Sequence, residues 1–199
     1  MKKTKLIQLI GIPGVGKTYL LNLFKKTFRT SINLIDFGEE LRKITKFVRQ
    51  KIRTRKQFKK DEYYSQLLLN KILKSKLPAV ITSHLVFKRN KKYLYSFNLD
   101  KRANCIAYIH LLAPAREILR RKIKDNKQNL KKRPFESTKS IDEHQKKSLE
   151  KTIEIADKID SPVFVIKNIF RLNKTNLLLL YILFKYFLKN GSRKKYGEK

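Results

Sequence analysis

The chain has 199 residues, 41% of them hydrophobic, which is enough for one sizeable core and argues against a second. Lys and Arg number 49 against 16 Asp and Glu, a formal charge of +33. That excess selects polyanionic partners such as nucleotides, RNA or anionic lipid, although a Lys- and Ile-rich composition alone could colour a solvated surface in the same way. A single cysteine, Cys105, excludes an internal disulfide framework, fits a reducing cytoplasm, and reads as a buried structural thiol within an apolar stretch.

Short apolar runs alternate with helical patterns. The first strand reads as Lys5 to Ile10; basic residues before it imitate a secretory leader, but the apolar run is too short and breaks at Gln8. A helix follows with Leu20, Leu21, Leu23 and Phe24 at helical spacing. The second strand is Asn33 to Phe37. Basic helices then run through Leu73, with Leu67, Leu68, Ile72 and Leu73 as the inward positions, until Pro78 introduces a third strand, Ala79 to Thr82. The fourth strand is Cys105 to Leu112, leading through Pro114 into a helix from Ala115. Asn126 to Ser140, which carries KKRP, lacks apolar periodicity and reads as a mobile loop. A helix from Ile141 to Asp157, a strand from Val163 to Ile166 and a final helix from Lys174 to Lys189 complete the set. Five strands separated by helices predict an α/β fold, a parallel sheet covered on both faces, in one domain over residues 1–190 with a disordered basic tail at 191–199. LLLLYILFKYFL, Leu177 to Leu188, is too short to span a bilayer and contains Lys185. It reads as a core helix closing the sheet, with a subunit contact or an interfacial anchor as alternatives.

Between the first strand and its helix stands GIPGVGKT, residues Gly11 to Thr18. It fits G-x-x-x-x-G-K-[ST], the phosphate-cradling P-loop, and it lies where that pattern has physical meaning. Gly11, Gly14 and Gly16, together with the backbone at Pro13 and Val15, let successive N–H groups point at phosphate oxygens. Lys17 supplies a point charge to the β- and γ-phosphates, and the Thr18 hydroxyl offers Mg²⁺ a ligand. None of the four Asn-Lys pairs, at Asn70, Asn90, Asn126 and Asn173, continues to the Asp of a guanine-reading N-K-x-D, so ATP is the expected nucleotide.

The loop, the segments INLIDFGEELRK, AVITSHLVFK and LLAPAREILRRKIKDN, and the helix IDEHQKKSLEKTIEIAD occur in this order and together resemble the archaeal-type adenylate kinases, a family of P-loop nucleoside monophosphate kinases. The resemblance covers most of residues 1–160. It implies a three-layer P-loop NTPase fold with a helical monophosphate-binding insert near 38–76 and a closing lid near 124–140, and the reaction of ATP with AMP to give two ADP, with Mg²⁺.

Phosphoryl transfer asks the protein to position two anions and neutralise charge, so cations on insert and lid are the expected parts. Arg121 is the candidate catalytic clamp alongside Lys17; Arg120 and Arg133 are candidate ATP contacts, and a solvated helix face is the plain alternative. For the acceptor, the resemblance points to Arg42 in GEELR beside Gly38, with Arg55, His84 and Arg89 as further candidates. Glu39 suits helix capping. His84 and His144 show no metal-ligand spacing and read as structural hydrogen-bonding residues. Two positions depart from the family. Its Asp before the Thr-His pair is here Thr82, and an Arg on the last-named helix is here Leu149. Asp36, at the end of the second strand, could organise Mg²⁺ through water instead. ATP and AMP are the expected small-molecule partners, RNA and a second copy of the chain are further options, and the expected compartment is the cytoplasm.

Overall fold

The computed structural model describes residues 4–29, 31–45, 55–75, 77–89, 92–95, 104–128, 136–169 and 173–190. In chain order these form β1 (Lys5–Ile10), α1 (Lys17–Thr27), β2 (Asn33–Asp36), α2 (Phe37–Thr45), α3 (Arg55–Lys74), β3 (Ala79–Ser83), β4 (Val86–Arg89) and β5 (Lys92–Tyr95). There follow β6 (Asn104–Leu112), α4 (Ala115–Lys127), α5 (Thr138–Asp157), β7 (Val163–Lys167) and α6 (Asn173–Asn190). Among the described residues β1, β2, β3, β6 and β7 make a five-stranded parallel sheet in the order β2-β3-β1-β6-β7. The segment 191–199, expected to be disordered, lies outside the described residues.

Period-two alternation in β1 sorts the core into layers. Ile7 and Leu9 join Val80, Ala107, Ile109 and Leu111 beneath Leu20, Leu21 and Phe24 of α1 and Leu180, Leu183 and Phe184 of α6. Leu6, facing the other way, meets Ile81 and the α3 residues Leu68, Leu69 and Ile72. Ile10, on that same face, lies with Tyr108, Val86 and the α5 residues Ile155 and Ala156. Each such aliphatic side chain, taken out of water, contributes about 1.5–3 kcal/mol before chain entropy is subtracted. β1 lies at the sheet's centre, and the chain passes from it to β2 on one side and later to β6 on the other. Its carboxyl end therefore opens at the switch point where ligands bind in such sheets.

Four expectations need correction. Phe37 opens α2 and does not extend β2, because Asp36 Oδ1 accepts the Glu39 N–H at 3.1 Å and so caps the helix. Leu67 is exposed while Leu69 is buried; the inward stripe of α3 runs through 68, 69 and 72, and 67 falls outside it. Residues 86–95 contain an antiparallel pair, β4 with β5, absent from the sequence reading because lysine, arginine and tyrosine dominate it. The polar stretch read as a loop over Asn126–Ser140 is in part ordered: α4 continues to Lys127, and Ser137 caps α5 by accepting the Ser140 N–H at 3.2 Å.

Candidate active site

The loop Gly11–Thr18 leaves β1 at the centre of the sheet and enters α1 at Lys17. Its shape depends on residues without a side chain. Gly16 sits at φ +101°, and a Cβ there would strike the side-chain amide of Asn168; one on Gly11 would approach the Leu111 carbonyl to 2.7 Å. Gly14, expected among the cradle glycines, stands against α4 instead of a strand end: a Cβ there would meet Ile118 Cγ2 at 3.2 Å and Lys122 Cγ at 3.4 Å. The backbone is also held from outside. Val15 O accepts from Asn168 Nδ2 at 2.6 Å and from Arg121 Nη1 at 3.0 Å. Asn168, directly after β7, is buried, and its own N–H donates to Leu112 O at 2.6 Å. It thus ties the ends of β6 and β7 to the loop.

Lys17 is buried, and its Nζ donates to Gly11 O at 2.6 Å and Ile12 O at 3.1 Å. It also lies 3.0 Å from His84 Nδ1, which is 2.8 Å from Gly11 O. Two backbone carbonyls and an imidazole thus converge on the Lys17 ammonium and fix it at the loop, where its positive charge would meet a phosphate. Thr18 Oγ1 donates to Asp36 Oδ2 at 2.6 Å. The β2–β3 register sets Asp36 opposite Thr82, so a carboxylate stands at the level of Thr82 on the next strand.

Of the other candidates, Arg121 reaches the loop while Arg120, 73% exposed, pairs with Glu117 at 3.2 Å. Partial burial lowers the Arg121 pKa from its ordinary value, opposed by the Glu117 carboxylate 3.5 Å away. Gly38 lies on the α2 side of Asp36: a Cβ there would be 3.6 Å from Asp36 Oδ1 and 4.0 Å from Arg42 Nη1, which brings Arg42 toward the Thr18–Asp36 pair. His84 stands against the phosphate loop itself. The side chains of Arg55 and Arg89 and the whole of Arg133 lie outside the described residues.

Beneath this ring lies a polar layer that the sequence reading did not find. His110, fully buried on β6 beside Ile10, has Nδ1 2.8 Å from Thr152 Oγ1. The Thr152 hydroxyl donates its hydrogen to Ser148 O at 2.8 Å, so Nδ1–H is the donor to Thr152 and Nε2 carries the lone pair, without a partner. Burial, and secondarily the Lys17 charge, push the His110 pKa down to about 3, and the ring is neutral. Gln145 Oε1 accepts the Ala113 N–H at 2.9 Å, fixing the turn between β6 and α4. Glu136 forms an ion pair with buried Lys122 and lies 3.9 Å from His144 Nδ1. His144 Nε2–H in turn donates to Val86 O at 3.1 Å, and burial holds its pKa below the ordinary range. Asn168 and His110 left no sequence signal, because neither lies in a motif with characteristic spacing.

The residues fit a nucleoside triphosphate and its metal: the cradle tolerates only glycine where the backbone must approach, a buried ammonium is fixed against the loop, and a hydroxyl and a carboxylate share a hydrogen bond beside it. Gly11–Thr18 would hold the phosphates, and Thr18 with Asp36 the Mg²⁺. No group of three or more His, Cys, Asp or Glu suited to a structural metal occurs among the described residues, and no helix described there is long and apolar enough to cross a membrane.

Two shikimate kinase structures share the fold. The Acinetobacter baumannii enzyme, in complex with shikimate, has a TM-score of 0.58 and 14% identity over 96% of each chain. That of Bacteroides thetaiotaomicron has a TM-score of 0.56 and 11% identity over 92% of this chain and 99% of its own. A chain of the Pnkp1/Rnl/Hen1 RNA repair complex reaches 0.52 at 18% identity, over 77% of this chain and 46% of its own. At such identities the likeness is one of fold. No curated protein matches the chain. A family model described as an AAA domain matches residues 10–142, from the last residue of β1 into α5. The chain belongs to that family and carries the fold of the P-loop kinases.

Proposed function

We propose that the protein is an ATP-dependent phosphotransferase with a small acceptor, and that the acceptor is AMP. One observation carries the reading: buried Lys17 and the Thr18–Asp36 hydrogen bond of 2.6 Å meet at the carboxyl end of the central strand. The donor-phosphate loop and a carboxylate are thereby already organised together. Lys17 neutralises charge on the transferring group, Arg121 steadies the loop and stands beside it, and Arg42 on α2 supplies a guanidinium suited to a monophosphate. Thr18 would hold Mg²⁺, whose charge would offset that of the phosphates. AMP is favoured by the resemblance of the ordered segments to archaeal-type adenylate kinases, with Asp36 replacing the carboxylate absent at Thr82.

A second reading keeps the transfer and changes the acceptor to a small alcohol. It is favoured by Glu39 and Glu40 in the first turn of α2 beside Asp36, where negative charge suits a hydroxyl better than a phosphate, and by the likeness to a shikimate kinase in complex with shikimate.

The test is a coupled assay with ATP and Mg²⁺ against each nucleoside monophosphate and shikimate, with Lys17→Ala as control. ADP formed with AMP and lost in the control supports the first reading, and transfer to shikimate alone supports the second. ATP binding without transfer to any acceptor overturns both, and leaves a nucleotide-binding protein whose RNA affinity should then be measured against salt. Asp36→Asn isolates the metal role, because Asn caps α2 as well as Asp does. A raised Mg²⁺ requirement is expected, and an unchanged Mg²⁺ dependence rejects the assignment.

A further inference from the structure

We propose that the outer face of α6 seats the protein on an anionic lipid surface. The helix is apolar on two sides. Leu177, Leu180, Leu183, Phe184 and Leu188 face the sheet, while Leu178, Leu179, Ile182 and Tyr186 are 55%, 40%, 52% and 61% exposed. Residues 178, 182 and 186 recur every four positions and form one stripe along the helix, with 179 beside it. A helix apolar all round is normally covered on all sides, and a contiguous exposed stripe of this kind marks a contact surface.

Charge selects the occupant. Lys174 and Lys185 lie along one edge of the stripe, and Lys185 Nζ stands 5.6 Å from the centroid of the Tyr181 ring. From residue 161 to residue 197 the sequence holds eight Lys and Arg and no Asp or Glu. A second copy would bring two molecules of +33 together, each with its lysine edge against the other's, and a nucleic acid would leave the aliphatic stripe uncovered. A bilayer carrying anionic headgroups meets both requirements: acyl chains take the leucine and isoleucine side chains, headgroups take the lysines, and tyrosine suits the boundary between them. The helix lies in the interface and does not cross it, in keeping with the absence of a spanning helix among the described residues.

The experiment is sedimentation of the purified full-length protein with vesicles of phosphatidylcholine alone and of phosphatidylcholine mixed with phosphatidylserine, alongside Leu178→Ser/Ile182→Ser. These two positions are exposed, so the variant should keep the parent's melting temperature, which is measured in parallel. The expected result is capture by the serine-containing vesicles, weak capture by the neutral ones, and a loss of about tenfold or more in vesicle affinity in the double variant, since several buried CH₂ groups are removed. Equal capture of parent and variant would overturn the proposal by reducing it to adsorption of a polycation. No capture by anionic vesicles would overturn it outright. A concentration-dependent dimer in analytical ultracentrifugation that the same substitutions abolish would overturn it in favour of a second copy on this face.

Discussion

His110 makes acid stability a sensitive probe of the polar layer under the phosphate loop. It is fully buried, donates from Nδ1 to Thr152, and has its pKa pushed down to about 3, against about 6.5 in an unfolded chain. On acidification the unfolded chain binds a proton that the native protein refuses, so stability rises with pH across the window. The contribution is fully present above about pH 6.5 and is lost as the pH falls toward the folded value of about 3. At pH 5 the unfolded imidazole is nearly all protonated and the folded one nearly all neutral. The difference of about 1.5 pH units, at about 1.4 kcal/mol each, amounts to about 2 kcal/mol, and it hardly changes provided that the folded pKa stays below about 4.

The comparison that isolates this quantity is the parent against His110→Asn, whose amide can still donate to Thr152 but does not titrate. The variant will be less stable at every pH, because it leaves space where the ring was. The deciding quantity is the difference in slope. Urea unfolding at pH 8 and pH 5 should show the parent losing about 2 kcal/mol more than the variant over that interval. Parallel profiles would refute a buried neutral imidazole at this position.

Gly16→Ala should fold but lose the thermal shift produced by ATP, since the new Cβ meets Asn168 at a backbone φ of +101° that costs a side chain about 1–3 kcal/mol. Asn168→Ala removes one of two donors to Val15 O; titration calorimetry should find ATP binding weakened about five- to tenfold, the equivalent of one buried hydrogen bond. Glu136→Ala strands the buried Lys122 ammonium and should cost about 3–5 kcal/mol in urea unfolding, most of it recovered by adding Lys122→Met.

The parallel sheet and the phosphate loop were legible because each has a local cause. Apolar runs bounded by proline and glycine announce buried parallel strands, and the loop's glycines stand at the spacing its backbone turn requires. What that spacing did not reveal is that Gly14 also keeps α4 close, with Ile118 and Lys122 where a side chain would otherwise stand. The β4–β5 pair escaped because Lys88 is held by Ser140 at 2.6 Å and Tyr93 leans on His144 at 5.7 Å between ring centroids. Those contacts come from α5, some fifty residues away in the sequence. The supports of the site were illegible for the same reason. Asn168 reaches Val15 across 153 positions and Arg121 reaches it across 106, and one asparagine or arginine in a chain so rich in polar residues carries no mark of that contact. Order at residues 136–140 was missed because a lysine, a serine and a glutamate look like a solvated loop until Lys122 is known to lie buried beneath them.

Thr82 shows how a position that looks neutral in a linear reading can have a carboxylate beside it in the sheet. Position by position, a neutral residue where the resembled adenylate kinases would place a carboxylate reads as a loss. In a parallel sheet, however, adjacent strands deliver their carboxyl ends to one edge, and the β2–β3 register sets Asp36 opposite Thr82. Neither oxygen of Asp36 is left to chance: Oδ1 accepts the α2 cap at 3.1 Å and Oδ2 accepts from Thr18 at 2.6 Å. A carboxylate fixed at both oxygens loses less entropy when a cation arrives than one on a free rotamer. On the proposed reading, the exchange of a β3 carboxylate for a β2 carboxylate moves the negative charge one strand toward α2 and Arg42. The metal and the acceptor would then share a wall. An acceptor-dependent change in Mg²⁺ affinity, measured in the parent and absent in Asp36→Asn, is the consequence that separates this arrangement from one in which the two sites act independently.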